Sequence, residues 1–404
     1  MPHASPFQPA ARAANLRLSE IVQISEKARA LRAAGKPVLS FGTGEPDFPT
    51  PPHVIEAAHQ AALNGETSYP PTQGTPQLRA TIAAQVAALA GISCDPAQVI
   101  VSTGAKQVLS NAFLATLDPG DEVIMPAPYW TSYGDMIAFC EARITPVSCP
   151  AEAGFLLTPK ALNAAITPRT RWLMLNTPGN PSGAMYTPDQ LRALAEVLRA
   201  HPHVWILADE IYQHIAYEDF TSFLAVAPDL AERTLIVNGV SKAHAMTGWR
   251  LGWGIGPVPL IKAMLAVQGQ STSGASSISQ AAALAALTGP QDHLLSRNAA
   301  FRDRRDFVVE TINAMPGLSC LTPQGAFYVF PSCHDVIGRR RPDGQAIESD
   351  ADLCDYLLQE ALVALVPGRA FGLPGHFRLS YAYSSEDLTE GLARIAHALA
   401  ALTD

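Results

Sequence analysis

Apolar residues recur along this chain with two spacings, one typical of amphipathic helices and one typical of buried strands. From about residue 18 to residue 34 the apolar positions follow helical spacing, and Gly35 ends the run. Short, mainly apolar runs predict buried strands elsewhere. These strands are expected near residues 38–41, 99–101, 122–125, 171–175, 204–208 and 234–237.

Helical spacing returns between and beside these strands. Further helices are predicted near residues 52–63, 75–90, 106–117, 131–141, 188–200 and 259–267. Apolar strands separated by helices predict an α/β fold with a parallel sheet covered on both faces. The first 45 residues and the segment after about residue 290 lack this alternation of apolar strands and helices. A smaller α+β part built from both chain ends is therefore expected.

This organisation predicts three regions along the chain. Residues 1–45 would form an N-terminal arm and part of the small domain, residues 46–290 a large domain, and residues 291–404 the small C-terminal domain. A chain of 404 residues with 48% hydrophobic and 16% charged residues can bury such cores, which excludes a mostly disordered protein.

Charge and cysteine usage narrow the function classes. The net charge of −8 is opposite to the basic excess of general nucleic-acid binders and membrane-surface proteins, so neither partner is expected. Six cysteines without a CxxC pair favour reduced thiols in a cytoplasmic protein.

No apolar run reaches the roughly 18 residues of a membrane span, and the first residues lack an export signal. His201 and His203 lack further ligands at suitable spacing, so no metal site is expected.

The first candidate for chemistry is Lys242, which follows the strand near 234–237. Ser241 beside it and Arg250 eight residues later both suit a phosphate group. A lysine beside a phosphate site indicates covalent attachment of pyridoxal 5′-phosphate (PLP). The alternative is an ordinary surface lysine.

Asp209 and Tyr212 are the next candidates, at the end of the run 204–208. Ligands of open α/β sheets collect at the carboxyl ends of strands. A carboxylate at residue 209 would keep the pyridine nitrogen of PLP protonated, and a tyrosine three residues on would hydrogen-bond the ring oxygen. The alternatives are an acid that caps the next turn and a packed core tyrosine.

Three further segments offer polar groups for the same site. Residues 102–106 follow a strand and open a helix, whose free N–H groups would meet an anion, although a plain turn has the same pattern. Asn180 would donate to a cofactor oxygen or else lies in a proline-rich turn. Arg378, in a short apolar strand, suits bidentate carboxylate binding or else a surface ion pair.

In order and spacing, these segments closely resemble the class I, fold-type I PLP-dependent aminotransferases, in particular bacterial aspartate aminotransferases, some of which also accept prephenate. The resemblance covers about residue 15 to the C-terminus. It is carried by GTGEPDF (42–48), STGAKQ (102–107), PAPYW (126–130), NTPGNPSG (176–183), ADEIY (208–212), NGVSKAHAMTGWR (238–250) and FRLSYA (377–382).

The resemblance implies a large domain with a mainly parallel seven-stranded sheet, a homodimer with shared active sites, and ping-pong transfer of an amino group from an L-amino acid to a 2-oxo acid such as 2-oxoglutarate. It implies that the catalytic residues are Lys242, Asp209 and Tyr212. The residues implied to hold PLP are Lys242, Gly104, Ala105, Lys106, Trp130, Asn180, Asp209, Tyr212, Ser241, Arg250 and, toward the neighbouring subunit, Tyr69. Those implied to bind substrate are Gly44, Trp130, Asn180, Arg378, Lys106 and Arg17.

The resemblance also bears on the substrate side chain. A lysine at the position of Lys106 is associated with the distal carboxylate of aspartate or glutamate, and a basic residue at Arg17 with prephenate. Where many relatives carry Lys-Pro-Ser-Ala-Thr, this chain has an acid at Glu20 and an apolar side chain at Ile21. Acidic donors, aromatic donors and prephenate or arogenate therefore all stay open.

Two other functions share part of this pattern. A PLP-dependent C–S lyase or related β-elimination enzyme would use the same lysine, acid, tyrosine and arginine. A non-catalytic PLP-binding regulator would carry a DNA-binding module first, and the roughly 40 residues before the first loop contain no helix-turn-helix pattern. A dinucleotide fingerprint starting at Gly252 fails because Pro257 stands where its third glycine is needed.

Overall fold

A seven-stranded sheet forms the centre of the larger part of the molecule. The computed structural model describes residues 7–14 and 20–404. The strands of the whole fold are β1 (Leu39–Ser40), β2 (Val99–Ser102), β3 (Glu122–Ala127), β4 (Arg143–Ser148), β5 (Thr170–Asn176), β6 (Trp205–Asp209), β7 (Thr234–Gly239), β8 (Gly252–Ile255), β9 (Tyr328–Val329), β10 (Val363–Ala364), β11 (Val366–Pro367) and β12 (Phe377–Ser380).

The order of strands in the large sheet is β2-β8-β7-β6-β5-β3-β4. Strands β3 to β7 pair in parallel, whereas β8 runs antiparallel to both β2 and β7. This confirms the predicted α/β fold with a mainly parallel seven-stranded sheet. The carboxyl ends of the parallel strands meet at one edge, where α/β proteins bind ligands.

Helices cover both faces of this sheet. The helices of the described chain are α1 (Ala11–Ala14), α2 (Glu20–Ala33), α3 (Pro52–Leu63), α4 (Pro76–Ala90), α5 (Ala105–Thr116), α6 (Ser132–Phe139), α7 (Pro159–Ala165), α8 (Pro188–Arg199), α9 (Phe223–Val226), α10 (Val258–Gly269), α11 (Ser277–Thr288), α12 (Asp292–Asn313), α13 (Asp350–Glu360) and α14 (Ser385–Ala400). Helices α5, α6 and α10 pack on one face, and α3, α4, α7, α8, α9 and α11 on the other.

The central strands divide their side chains between two cores. In β6, Leu207 packs with α5 and α10, while Ile206 and Ala208 on either side of it pack with α4 and α8. Because successive strand residues point to opposite faces, a strand buried on both sides is apolar throughout. This explains why the central residues of β5, β6 and β7 appear in the sequence as apolar runs.

Helix α8 shows how local sequence defines the covering layer. Thr187 accepts a hydrogen bond from the backbone N–H of Gln190, whose side chain accepts one from the Thr187 backbone, and Pro188 occupies the first turn. Buried leucines at 191, 194 and 198 follow helical spacing. The helix therefore starts at a capping box and presents one apolar face to the sheet.

The smaller part combines both ends of the described chain. Strand β1 pairs in parallel with β10, so that Leu39 lies opposite Val363, and β11, β12 and β9 form a three-stranded antiparallel sheet. Helix α14 packs closely on this region, because a Cβ at Gly391 would overlap the ring of Phe41. A smaller α+β part from both ends is thus confirmed, while the boundaries at residues 45 and 290 stay predictions.

Two strands of the large sheet lie outside the sequence predictions. Strand β4 is an edge strand, half of it exposed, and Pro146 interrupts its apolar pattern. Strand β8 is rich in glycine, and Gly254 packs so tightly that a Cβ there would approach Val108. Within residues 7–14 and 20–404, no helix has both the length and the apolar content to cross a membrane.

Candidate active site

A cavity of about 340 Å³ lies at the carboxyl ends of the parallel strands, between the large sheet and the smaller part. Its lining contains Ile21, Gly44, Glu45, Ala105, Lys106, Leu109, Trp130, Tyr133, Asn176, Asn180, Asp209, Ile211, Tyr212, Ser241, Lys242, Thr247, Arg250, Tyr328 and Arg378. A larger cleft of about 670 Å³ beside α2 and α13 has none of the predicted site residues among its described lining.

Lys242 reaches this cavity from the loop after β7. Its Nζ donates a 2.6 Å hydrogen bond to the carbonyl oxygen of Gly44, which joins two distant segments of the chain. Burial lowers the pKa of Lys242 to about 8, opposed by the nearby Glu45 carboxylate and reinforced by Arg378 and Arg250. A substantial fraction of this amine is therefore neutral near physiological pH, as a nucleophile or proton acceptor requires.

Asp209 ends β6 at the base of the cavity and is only 4% exposed. The hydroxyl of Tyr133 donates to its Oδ2 at 2.7 Å, and the backbone N–H of Ile211 donates to its Oδ1 at 3.2 Å. Burial raises the pKa of Asp209 to about 6, although both hydrogen bonds act in the opposite direction. A carboxylate buried this way favours a cationic partner that restores its charge balance.

Arg378 is almost fully buried on β12, at 1% exposure. Its Nη1 donates to Oδ1 of Asn180 at 2.8 Å and its Nη2 to the Gly42 carbonyl at 2.5 Å, while its Nε has no partner. Across the described residues it forms no ion pair with a carboxylate. Burial lowers the pKa of this guanidinium. Because no carboxylate of the described chain pairs with it, Arg378 is suited to bind an anionic ligand.

Tyr212 and Tyr328 connect the base of the cavity to this arginine. Their hydroxyls share a 2.9 Å hydrogen bond, and the Arg378 guanidinium lies 4.5 Å from the centre of the Tyr328 ring. Burial raises the pKa of both tyrosines. Both hydroxyls therefore stay protonated near neutral pH, and because one donates to the other, the second O–H of the pair is left to donate to an oxygen in the cavity.

The opposite end of the cavity suits a phosphate group. Gly104, with φ +85°, precedes α5, and the first N–H groups of a helix lack intrahelical acceptors and can bind an anion. A Cβ at Gly104 would lie 2.5 Å from Nη2 of Arg250, and only glycine allows this approach. Arg250 donates from Nη1 to the Thr247 carbonyl at 2.8 Å, and Ser241 lines the same cavity.

Lys106 and Trp130 form another wall. Nζ of Lys106 lies 4.8 Å from the centre of the Trp130 ring and donates to the Ser132 hydroxyl at 3.1 Å. Burial and the neighbouring Arg250 lower the pKa of Lys106, and Asp135 raises it. A flat aromatic ring and a cation thus border the same cavity as Arg378.

The cavity brings together most of the predicted residues. Tyr69 is 96% exposed and is not among the lining residues, and Gly104 is not among them either but lies against Arg250, which is. Arg17 lies outside the described residues. Sequence reasoning missed Tyr133, Tyr328 and Glu45, which line the cavity. Tyr133 follows Trp130 at helical spacing, which is a usable signal, whereas Tyr328 is placed only by the pairing of β9 with β12.

These groups fit PLP. The cavity offers an amine for its aldehyde, a buried carboxylate for its pyridinium nitrogen, hydroxyls for its ring oxygen, and a helix N-terminus with an arginine for its phosphate. Among the residues that the structure describes, no group of three or more His, Cys, Asp or Glu side chains could hold a metal ion.

Comparisons with known proteins agree with this geometry. The family model for "Aminotransferase class I and II" matches residues 36–395. An aspartate aminotransferase of Rhizobium meliloti is 53% identical over 97% of this chain and 96% of the relative, and an aspartate/prephenate aminotransferase of Cereibacter sphaeroides is 48% identical over 95% and 96%. A crystal structure of the Rhizobium meliloti aspartate aminotransferase superimposes with a TM-score of 0.96 at 52% identity, covering 98% of this chain and all of that one.

The chain therefore belongs to the class I and II aminotransferase family, with the fold-type I architecture and the PLP dependence of that family. Within it, the protein is an aspartate aminotransferase-like transaminase, which moves amino groups. This confirms the predicted family, cofactor and reaction type, and it does not favour the β-elimination alternative.

Proposed function

We propose that this transaminase exchanges the amino group of aspartate or glutamate with 2-oxoglutarate and related 2-oxo acids, holding the substrate α-carboxylate on Arg378. The observation that carries this proposal is the buried guanidinium of Arg378, which has an unpartnered Nε and no carboxylate counter-ion among the described residues. A planar carboxylate matches such a fork in both charge and geometry.

Lys106 would bind the distal carboxylate of the same substrate. It lies in the cavity with Arg378, so the two cations suit the two carboxylates of aspartate or 2-oxoglutarate. The aromatic face of Trp130 beside Lys106 and the apolar Ile21 would also accept an aromatic or prephenate-like side chain. This combination supports a dicarboxylate enzyme with a broader donor range, in line with the two names that its relatives carry.

Bound PLP would supply an electron sink that makes the substrate Cα–H bond acidic. Asp209 would hold the ring nitrogen in its protonated form, Tyr212 and Asn180 would orient the ring oxygen, and Nζ of Lys242 would accept and return the Cα proton. The lowered pKa of Lys242, about 8, suits this last role because proton transfer is efficient near the working pH.

The phosphate would lie among Ala105, Ser241 and Arg250 and the backbone of Gly104 beside that arginine, with Trp130 stacked on the ring. We propose a cytoplasmic homodimer in which Tyr69 completes the phosphate site of the neighbouring subunit. The family resemblance supports this role, and the 96% exposure of Tyr69 leaves its ring accessible to a second copy of the chain. Domains spanning residues 46–290 and 291–404, with an arm at 1–45, complete the proposal.

A half-reaction screen tests the substrate assignment. The PLP-loaded enzyme is mixed in turn with aspartate, glutamate, phenylalanine, tyrosine, arogenate and alanine, and loss of the absorbance band of the lysine-bound cofactor is followed. We expect Lys106→Ala to slow aspartate and glutamate by about 10- to 100-fold and phenylalanine by less than about threefold, as loss of one charged hydrogen bond predicts. Equal losses for acidic and aromatic donors would contradict the role of Lys106.

A further inference from the structure

Glu45 is an ionisable group in the cavity that the reaction described above does not use. It lies in the segment Gly42–Phe48 from the smaller part, and it lines the cavity together with Lys242 and Arg250. Its Oε1 accepts a hydrogen bond from the hydroxyl of Thr247, which belongs to the loop after β7. The carboxylate therefore connects two segments that are about 200 residues apart in the chain.

Thr247 links this contact to the phosphate end of the cavity. Residues 247–249 form a short turn, and Nη1 of Arg250 donates to the carbonyl oxygen of Thr247 at 2.8 Å. Arg250 itself has φ +53°, a left-handed conformation that a non-glycine residue adopts only when its surroundings hold it there. The position of the guanidinium thus depends on the position of this turn.

The neighbouring contacts restrain the same two segments. Nζ of Lys242 donates to the Gly44 carbonyl, the Thr50 hydroxyl donates to the Ala245 carbonyl, and Nε1 of Trp249 donates to the Thr50 hydroxyl. The contact of Glu45 differs from these because its partner is Thr247, whose carbonyl oxygen accepts a hydrogen bond from Arg250. Thr247 therefore links the carboxylate in the cavity to the arginine of the phosphate site.

We propose that Glu45 is a positioning residue for the phosphate site: through Thr247, its carboxylate fixes the turn that presents Arg250 to the phosphate of PLP. This inference rests on the proposed cofactor site. It runs against simple electrostatics, because a carboxylate near a phosphate repels it. The geometry therefore predicts that removing this acceptor weakens the binding of an anion, even though a negative charge is removed with it.

The test compares PLP with pyridoxal, which has the same aldehyde and ring but no phosphate. Each is titrated into apo-protein, and the absorbance of the lysine-bound aldehyde gives a Kd. We expect Glu45→Ala and Thr247→Val each to raise the Kd of PLP about 10-fold and that of pyridoxal less than about twofold. Glu45→Gln, which keeps an acceptor oxygen, is expected to stay within about threefold of wild type.

Two controls separate the positioning role from general damage and from local charge. Asp47→Ala removes a carboxylate of the same segment, one that pairs with Arg304 outside the cavity, and should leave both Kd values unchanged. The double variant of Glu45→Ala with Thr247→Val should weaken PLP no more than either single change, because both break one path.

Three outcomes would overturn the inference. Equal weakening of PLP and pyridoxal would indicate that Glu45 acts on the lysine or on folding rather than on the phosphate. Tighter PLP binding in both Glu45→Ala and Glu45→Gln would show that charge repulsion dominates. Wild-type protein that binds neither aldehyde would contradict the cofactor site itself, which distinguishes that failure from a failure of Glu45 alone.

Discussion

The hydroxyl of Tyr133 donates a 2.7 Å hydrogen bond to Oδ2 of Asp209, at the buried base of the cavity. The bond directs one lone pair of the carboxylate toward α6 and favours its ionised form. Burial has the larger effect and raises the pKa of Asp209 to about 6. Without PLP, the protein therefore contains a carboxylate whose ionisation costs free energy, and this has a measurable consequence.

The first prediction concerns the stability of apo-protein. The usual pKa of an aspartate is 3.8 and that of Asp209 is about 6, so as the pH rises between these values the unfolded chain releases its proton first. The free energy of unfolding should fall over this window, and Asp209→Asn should abolish that loss. We expect the variant to be about 1–3 kcal/mol more stable at pH 7.5 and equal to wild type near pH 4.

Urea unfolding of both apo-proteins at the two pH values measures this difference. A stability difference that is the same at pH 4 and pH 7.5 would contradict it. As a control, saturating PLP should raise the Tm of wild type more than that of Asp209→Asn, because the pyridinium nitrogen supplies the missing cation only to a carboxylate.

The second prediction concerns Lys242. Because burial lowers its pKa to about 8, the amine becomes neutral and nucleophilic at lower pH than an ordinary lysine. The rate at which apo-protein forms the covalent bond to pyridoxal should rise with pH to a midpoint near 8. Lys242→Ala should lose the bond and at least about 10³-fold in turnover, whereas Lys262→Ala, an exposed lysine of α10, should behave as wild type.

Borohydride reduction followed by peptide mass spectrometry locates the bond. A pyridoxyl group on another peptide, or a midpoint above pH 10, would show that Lys242 is not the reactive amine.

The third prediction concerns the carboxylate fork. Arg378→Lys keeps a positive charge on β12 but replaces the planar two-nitrogen fork, which now reaches Asn180 and Gly42 separately, with a single ammonium nitrogen. We expect KM for both amino acids and 2-oxo acids to rise about 10- to 100-fold, with the Kd of PLP changed less than about twofold. Steady-state kinetics and a PLP titration give both numbers, and a rise in the PLP Kd that matches the rise in KM would assign Arg378 to cofactor binding instead.

The fourth prediction uses two glycines with similar backbones. Gly104 has φ +85° and Gly120 has φ +91°, so alanine strains both by about 1 kcal/mol. A Cβ at Gly104 would also meet Nη2 of Arg250, whereas nothing lies within 4 Å of one at Gly120. We expect both variants to lose similar stability, and Gly104→Ala alone to weaken PLP binding, by at least about 10-fold. Equal PLP affinities in the two variants would contradict a phosphate site at Gly104.

The parts of the fold that could be predicted from sequence are those whose burial leaves a simple pattern. Strands β5, β6 and β7 are buried on both faces and therefore appear as apolar runs. Strand β8 could not be recognised this way, because Gly252 and Gly254 are required by close packing against α5 rather than by strand propensity. The edge strand β4 mixes exposed and half-buried positions and gives no clear period.

The same reasoning separates the predictable and unpredictable parts of the site. Lys242, Asp209 and Asn180 follow apolar strands, so their place at one sheet edge follows from chain order. Tyr328 and Glu45 enter the cavity from the smaller part, and their proximity depends on how that part packs on the sheet. Local sequence does not specify how distant segments pack together, so these two residues could not be predicted from it.

The pairing of Leu39 with Val363 has a consequence for the making of the enzyme. On the ribosome, β1 emerges early and has no partner until almost the entire polypeptide has been translated, whereas the strands of the large sheet can assemble sooner. The hydrogen bond from Arg378 to the Gly42 carbonyl can likewise form only after residue 378 has been synthesised. A nascent chain stalled before β10 would thus contain Lys242 but lack Arg378, the residue proposed to bind the substrate α-carboxylate, so activity should appear only when synthesis is nearly finished.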